Sequence, residues 1–195
     1  MPNYVTNIVH FQGDAERITS MRAAVQDDQY GLYGIDFGKI IPMPDNLYMG
    51  SIGPTERQLY GKNNWYDWSR ANWGTKWNAF RFEDESDSYS PSQIRFITAN
   101  GAPHPVLQKL SEMYPDITMR HQWADDDVGM NCGERTYKGG KILDEYIPDY
   151  GRRSVDYACE VMGTTPEDHG LALNEDGTEY VCAEETEEME DGMHL

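Results

Sequence analysis

The alternation of apolar and polar residues near the start of the chain predicts a half-buried strand. Residues 4–11 are rich in β-branched and aromatic side chains, which favour strands. Asp14 then provides an N-cap for a helix with one apolar stripe. The strand would carry Tyr4, Thr6, Ile8 and His10 on one face and Val5, Asn7, Val9 and Phe11 on the other, and the helical stripe would consist of Ile18, Met21, Arg22 and Val25.

The segment after the first helix is interrupted by glycine and proline. Residues 35–41 predict a short strand, and residues 44–62 predict a loop. Asn64 predicts the N-cap of a short helix from Trp65 to Trp73, and Gly74 stands where a left-handed C-terminal cap would be. This Trp-rich helix is the most distinctive element of the sequence.

The remaining strands of the predicted sheet follow the Trp-rich helix. A second amphipathic helix begins at Pro103 or Pro105 and ends before Asp116. Asp125, Asp126 and Asp127 predict the turn of a hairpin. The strands are predicted at 75–82, 94–98, 117–123 and 128–137, and the acidic, Ser-rich segment 83–92 predicts a loop.

The order of these elements predicts an α+β ferredoxin-like fold. Two βαβ halves surround an antiparallel sheet with the helices on one face, and the Trp-rich helix is an insertion. We assign residues 1–140 to this domain, residues 141–182 to a small α/β appendage and residues 183–195 to an acidic tail without fixed structure. The appendage is predicted to contain a strand at 142–146, a helix near 154–162 and a hairpin at 170–182.

Negative charge is concentrated in this C-terminal extension. The formal net charge is −18; residues 1–143 contain 18 acids and 14 bases, whereas residues 144–195 contain 16 acids and 2 bases. A surface of this sign repels nucleic acid, so we expect a protein partner instead. The candidate acidic surface consists of Asp144, Glu145, Asp149, Asp156 and Glu160.

The sequence carries no recognisable catalytic or cofactor motif. His10, His104 and His121 fall on separate predicted elements, and no nucleophile motif accompanies them. The wide spacing of the cysteines argues against a zinc site and against a disulfide framework; they are Cys132, Cys159 and Cys182.

No apolar run is long enough to span a membrane, and the N-terminus lacks a secretory pattern, so we expect a cytoplasmic protein. We expect no cofactor and favour a protein that is not an enzyme.

The Trp-rich block supplies the candidate binding residues. Trp and Tyr dominate many interfaces, but clustered aromatic rings also fill cores, and we favour a structural role for most of these rings. The candidates are Trp65, Tyr66, Asp67, Arg70, Asn72 and Lys76. A cation site is the weaker interpretation of Asp125, Asp126 and Asp127, because their spacing is that of a solvated turn and not of a calcium loop.

Three stretches together resemble a known family. They are Pro2 to Asn7, the block from Asn64 to Asn78, and Pro103-His104-Pro105-Val106 with Trp123 to Asp126. In these stretches, which lie within residues 1–140, the chain is similar to the YubB-like proteins with a ferredoxin-like domain. The resemblance implies the ferredoxin-like fold and an origin on a bacterial plasmid or phage, and it implies no activity.

These observations favour a non-enzymatic accessory protein of a phage or plasmid. It would act in the cytoplasm of the bacterial host by binding a host or defence-system protein, and its fixed carboxylates could imitate the phosphates of nucleic acid. One alternative is an enzyme with an unfamiliar site in the Trp-rich block, built from Asp67, Arg70 and the neighbouring Trp residues. A weaker alternative is an RNA-binding module, because such modules share the fold and stack bases on sheet aromatics; here Phe11, Phe37 and Phe96 would be the stacking residues.

Overall fold

The computed structural model describes residues 2–81 and 90–183, and it forms an antiparallel sheet with helices on both faces. The helices are α1 (Ala15–Val25), α2 (Pro54–Tyr60), α3 (Trp65–Asn72), α4 (His104–Met113) and α5 (Arg152–Met162). The strands are β1 (Tyr4–Gln12), β2 (Gln93–Ala99), β3 (Thr118–Asp125), β4 (Cys132–Lys138), β5 (Lys141–Tyr146), β6 (Leu171–Leu173) and β7 (Tyr180–Cys182).

The main sheet has the strand order β2-β1-β3-β4-β5, and every neighbouring pair is antiparallel. The connection from β2 through α4 to β3 leaves β1 between the two strands, which is the split βαβ arrangement of ferredoxin-like folds. The α+β ferredoxin-like prediction is therefore confirmed.

The first strand and helix form as their patterns predict. In β1 the face that carries Val5, Val9 and Phe11 is buried against α1 and α4. The Asp14 carboxylate accepts a hydrogen bond from the Arg17 N–H at 3.0 Å and caps α1. The buried residues of α1 are the predicted stripe: Ile18, Met21, Arg22 and Val25.

The C-terminal extension completes the sheet and covers part of its second face. Strand β5 is hydrogen-bonded to β4 at the sheet edge, beyond the turn where the domain boundary at residue 140 was predicted. Helix α5 packs through Ala158 and Val161 on the face opposite α1 and α4, against Ala124 and Cys132. The placement of helices on one face thus holds for α1 and α4, and α5 adds a helix to the other face. The small β6–β7 hairpin forms as predicted, and residues 184–195 of the predicted tail lie outside the described residues.

Three local predictions between α1 and β2 are wrong for identifiable reasons. Residues 37–39 form a 3₁₀ turn and not a strand, because Asp36 accepts a hydrogen bond from the Gly38 N–H and Asn78 accepts one from the Phe37 N–H. The predicted loop contains α2, which begins at Pro54 and whose Glu56 carboxylate accepts from the Gly53 N–H. Residues 75–81 form no strand and touch the edge of β2 through isolated hydrogen bonds only.

Among the described residues, no helix combines the length and apolar character that a membrane span needs.

The α3 helix begins after its Asn64 cap as predicted and ends one residue early, at Asn72. Gly74 has φ +81°, the left-handed conformation expected after a helix end.

The tryptophans of the Trp-rich block should contribute unequally to stability. Trp73 is 6% exposed and contacts Phe37 in the main core, whereas Trp65 and Trp77 are only half-buried. We expect Trp73→Ala to lower the free energy of unfolding by about 3–5 kcal/mol and Trp77→Ala by about 1–2 kcal/mol. Urea denaturation of the two variants checks this, and equal losses would contradict the burial difference.

Candidate functional site

A cluster of buried polar side chains lies between the sheet and the start of α4. We call it the polar node, and its members are Asn7, Thr98, His104, His121, Trp123 and Tyr137. Asn7 and His121 are fully buried on neighbouring strands, and the distance from Asn7 Oδ1 to His121 Nε2 is 3.0 Å. The Asn7 amide nitrogen donates to the Val5 carbonyl at 2.8 Å and to Thr98 Oγ1 at 2.9 Å.

These contacts define the protonation of His121. Since the Asn7 amide nitrogen donates both of its hydrogens, its oxygen must accept, and His121 therefore carries its proton on Nε2. The other ring nitrogen, Nδ1, is buried and has no hydrogen-bond partner among the described residues. A bare imine nitrogen in an apolar setting is compatible with a neutral ring and strongly disfavours a charged one.

The second histidine of the polar node, His104, is half-buried and lies at the more exposed side of the node. His104 is the first residue of α4, and its Nδ1 lies 3.0 Å from the Tyr137 hydroxyl. Its ring centroid lies 5.5 Å from that of His121 and 4.5 Å from that of Trp123. The Arg135 guanidinium lies over the Trp123 ring, 5.6 Å from the centroid.

Burial controls the electrostatics of the node. It lowers the pKa of His104 to about 4, with a further contribution from the Arg135 charge. It also holds the pKa of His121 well below its ordinary value, and His104 and Arg135 add to that effect. Burial raises the pKa of Tyr137 to about 12. Burial thus favours the neutral form of His104, His121 and Tyr137.

The sequence stretches that carry the family resemblance converge on this node. A Cβ on Gly74 would lie 3.0 Å from the Ala102 carbonyl oxygen and 3.0 Å from Pro105 Cδ, so the Trp-rich block touches the start of α4. The Asn3 side chain donates to Asp125 at 3.1 Å and ties the N-terminus to the end of β3. The motif residues are therefore explained by close packing.

The three histidines His10, His104 and His121 lie on separate elements, as expected, but two of them are neighbours in the fold. Pairing of β1 with β3 and the entry of α4 bring His104 and His121 together, whereas His10 lies on the opposite face of the sheet. The only indications of the contact between His104 and His121 were the strand register and the alternation of β1. They place Asn7, which is hydrogen-bonded to His121, on the buried face of the sheet.

The Trp-rich block combines one buried ring, that of Trp73, with half-buried rings and exposed arginines. The Tyr66 ring has two guanidinium groups near it, Arg57 at 5.7 Å and Arg70 at 5.6 Å from the centroid. Asp67 accepts from Asn64 Nδ2 at 2.7 Å and pairs with Arg57 at 3.4 Å, so its carboxylate serves the start of α3. The other candidates make local contacts: Trp65 Nε1 donates to the Gly50 carbonyl, Asn72 Nδ2 donates to the Trp68 carbonyl, and Lys76 Nζ lies over the Trp77 ring.

The candidate acidic surface is largely neutralised by arginines of the same chain. Glu145 pairs with Arg135 across β4 and β5. On α5 and the turn before it, Asp149 pairs with Arg153 at 3.1 Å and Asp156 with Arg152 at 3.6 Å. Of the five candidate carboxylates, Asp144 and Glu160 are exposed and have no ion pair within residues 2–81 and 90–183.

The structure shows an exposed apolar surface next to these acids that sequence reasoning missed. We call it the β5 strip, and it consists of Ile142, Leu143, Tyr146, Ile147 and Tyr150, which are between 44% and 83% exposed. All six residues of β5 are exposed, although the strand borders α4 and Tyr146 contacts Tyr157 of α5. In the sequence, this surface was indicated only by the apolar residues within 142–150, for which no covering helix was predicted.

The remaining site candidates have structural contacts. Asp125 is 5% exposed and accepts from Asn3, from Asn131 and from the Asp127 N–H, so it holds the hairpin turn together. In the part of the chain that is described, no group of three or more His, Cys, Asp or Glu side chains could hold a metal ion. The rings proposed for base stacking are core residues, since Phe11, Phe37 and Phe96 are at most 5% exposed.

The two node histidines predict an acid-sensitive fold. Their folded-state pKa values lie below the ordinary value of 6.5, so their stabilising contribution is complete above pH 6.5 and is lost as pH falls towards the folded values. Each histidine should cost about 1.4 kcal/mol of unfolding free energy per pH unit in that window. Urea titrations from pH 7.5 to pH 5 on wild type and His104→Gln should show a shallower slope in the variant; equal slopes would contradict the assignment.

The match to a family model agrees with the fold. Residues 72–166 match the family model described as the ferredoxin-like domain in Api92-like protein. The crystal structure of a protein Api92 from Yersinia pseudotuberculosis is similar at 19% identity over 60% of this chain and 40% of that chain, with a TM-score of 0.37. No curated protein matches the chain. The region from residue 72 to residue 166 is therefore similar to the ferredoxin-like domain of Api92-like proteins.

Proposed function

We propose that this protein is a non-enzymatic binding protein whose β5 strip docks on a cationic surface of another protein. The observation that carries the proposal is the exposure of five apolar side chains within nine residues, led by Tyr150 at 83% and Leu143 at 59%. These side chains lie on both faces of the edge strand, since Ile142 stands opposite the buried Tyr137 and Tyr146 contacts Tyr157 of α5. Exposed apolar side chains gathered at one sheet edge mark interaction sites, and tyrosine is enriched among the anchors of such sites.

The chemistry of the rim indicates a cationic partner. Asp144 and Asp149 lie within the strip segment, whereas Glu160 lies near the end of α5, where the Met162 carbonyl accepts a hydrogen bond from Arg95 of β2. Complementary charge of this kind raises the association rate and selects against acidic partners. Because three of the five candidate carboxylates already pair with arginines, apolar contact supplies most of the affinity in this proposal, and phosphate imitation is limited to Asp144 and Glu160.

Docking through side chains is favoured over the addition of a partner strand to β5. The pairing of β4 with β5 is irregular between Thr136 and Tyr137, and Lys141 stands at the start of the edge strand. Bulges and edge lysines are the features by which sheets resist strand addition. The partner would therefore contact the strip as a folded surface.

The biological setting of the proposal follows from the family resemblance. A plasmid or phage origin would make the partner a protein of the bacterial host or of a defence system. The enzymatic alternative has less support, since Asp67 and Arg70 are engaged with Asn64, Arg57 and Tyr66.

Affinity capture from bacterial lysate, followed by mass spectrometry, tests the proposal. We expect Leu143→Asp and Tyr150→Asp to remove the retained partner, because each places a charge in the apolar contact. Met113→Asp is the matched control, since Met113 is 42% exposed at the end of α4, outside the strip, and should leave capture unchanged. Loss of capture in the control as well, or full capture by both strip variants, would rule the strip out.

The contribution of the acids has its own test. With the captured partner in hand, Asp144→Asn combined with Glu160→Gln should weaken binding by about tenfold at low salt and by less at high salt, where the charges are screened. An affinity that is insensitive both to these substitutions and to salt would show that the carboxylates are not part of recognition.

A further inference from the structure

The pairing of β4 with β5 assigns the residues of the β5 strip to the two faces of the sheet. Residues that are directly opposite each other on antiparallel strands point to the same face. Ile142 is opposite Tyr137, which is buried in the main core, so Ile142 lies on the face that α1 and α4 cover. Tyr146 contacts Tyr157 of α5, and Asp144 is two residues away along the same strand, so both lie on the α5 face.

The α4 side of this edge presents apolar side chains. Ile142 is 44% exposed and Ile147 is 53% exposed. Ile147 lies on this side, because its Cδ1 is 2.6 Å from the position of a Cβ on Gly133, which is opposite Trp123 of the polar node. An open groove of about 440 Å³ between α4 and the β4–β5 turn includes Lys141, the residue before Ile142. A partner therefore has room to approach the edge from this side.

The α5 side of the edge carries the uncompensated negative charge. Asp144 is exposed and has no ion pair within residues 2–81 and 90–183. Tyr146 on the same side is 48% exposed. On the α4 side, by contrast, Glu145 is paired with Arg135. A cationic group of a partner would therefore find its carboxylate on the α5 side.

We infer that the partner of the β5 strip holds this edge of the sheet in a groove with two different walls. The inference rests on the proposed function and specifies the partner of the same site. An apolar wall would contact Ile142 and Ile147 on the α4 side. A wall with a lysine or arginine would contact Tyr146 and Asp144 on the α5 side. Leu143, the extra residue of the β-bulge between the two sets, would meet the floor of the groove.

A partner with a flat surface would leave one side of the edge exposed. Burial of apolar surface supplies most of the affinity in the proposed function, and large side chains in the centre of an interface contribute most to it. A groove buries the isoleucines of one side together with the tyrosine of the other, whereas a flat surface leaves one set in water. The division of the strip between the two faces thus favours a groove.

Substitutions on the two sides test the inference with the purified protein that the wild-type chain retains from bacterial lysate. Ile142→Ser and Tyr146→Ser each remove apolar contact from one side, and each should weaken binding by about tenfold or more in a titration. Leu59→Ser and Tyr60→Ser are the matched controls and should leave binding unchanged. Both control residues are exposed on α2, in the insertion that meets the sheet at β2, the opposite edge.

Photo-crosslinking separates contact with the partner from an effect on folding. A phenylalanine that carries a benzophenone group is placed at Ile142, Tyr146 or Tyr60 in turn. The first two positions should cross-link to the purified partner, and the third should not. Urea denaturation of the serine variants shows that the losses of affinity occur in folded chains.

The outcomes separate this inference from the proposed function. Weaker binding and cross-linking at both Ile142 and Tyr146 support the groove. An effect at only one of the two positions shows that the partner covers a single face, which overturns the inference and leaves the proposed function intact. No effect at either position overturns the inference as well. If Leu143→Asp and Tyr150→Asp also retain full capture, or if the wild type retains no protein from lysate, the proposed function fails with it.

Discussion

The hydrogen bond between Asn7 and His121 is the contact on which the centre of this fold depends. Asn7 lies opposite Phe96 on β2 and Trp123 on β3, so its amide stands in the middle of the sheet with no access to water. A buried amide is tolerated only when its hydrogen bonds are satisfied, and here His121, Thr98 and the Val5 carbonyl satisfy them. Loss of any one partner leaves a buried polar group without compensation.

The other motif segments are arranged around this contact. His121 stacks on Trp123, Trp123 meets His104, and His104 fixes the first turn of α4 through Tyr137. The absence of a side chain at Gly133 lets Trp123 of the polar node and Ile147 of the β5 strip pack closely around it. A Cβ at this position would lie 2.9 Å from Trp123 Cζ2 and 2.6 Å from Ile147 Cδ1. The residues that carry the family resemblance are thus explained by packing, and the β5 strip proposed for binding lies outside those motifs.

Sequence reasoning succeeded where one local pattern determines the structure. The alternation of β1, the stripe of α1 and the Asn64 cap of α3 each depend on neighbours along the chain, and each is confirmed. It failed where a residue far away in the sequence determines the local structure. The Phe37 N–H donates a hydrogen bond to the Asn78 side chain, and the segment forms a 3₁₀ turn where a strand was predicted. The pairing of His104 with His121 and the second helical layer of α5 likewise depend on strand register and on tertiary packing.

A double-mutant cycle between Asn7 and His121 tests the central claim most directly. Asn7→Ala and His121→Ala should each lower the free energy of unfolding by about 3 kcal/mol, because each leaves buried polar groups unpaired. The double variant should lose less than the sum, with a coupling energy of at least about 1 kcal/mol. Single losses below about 1 kcal/mol that add without coupling would show that the sheet does not depend on this contact.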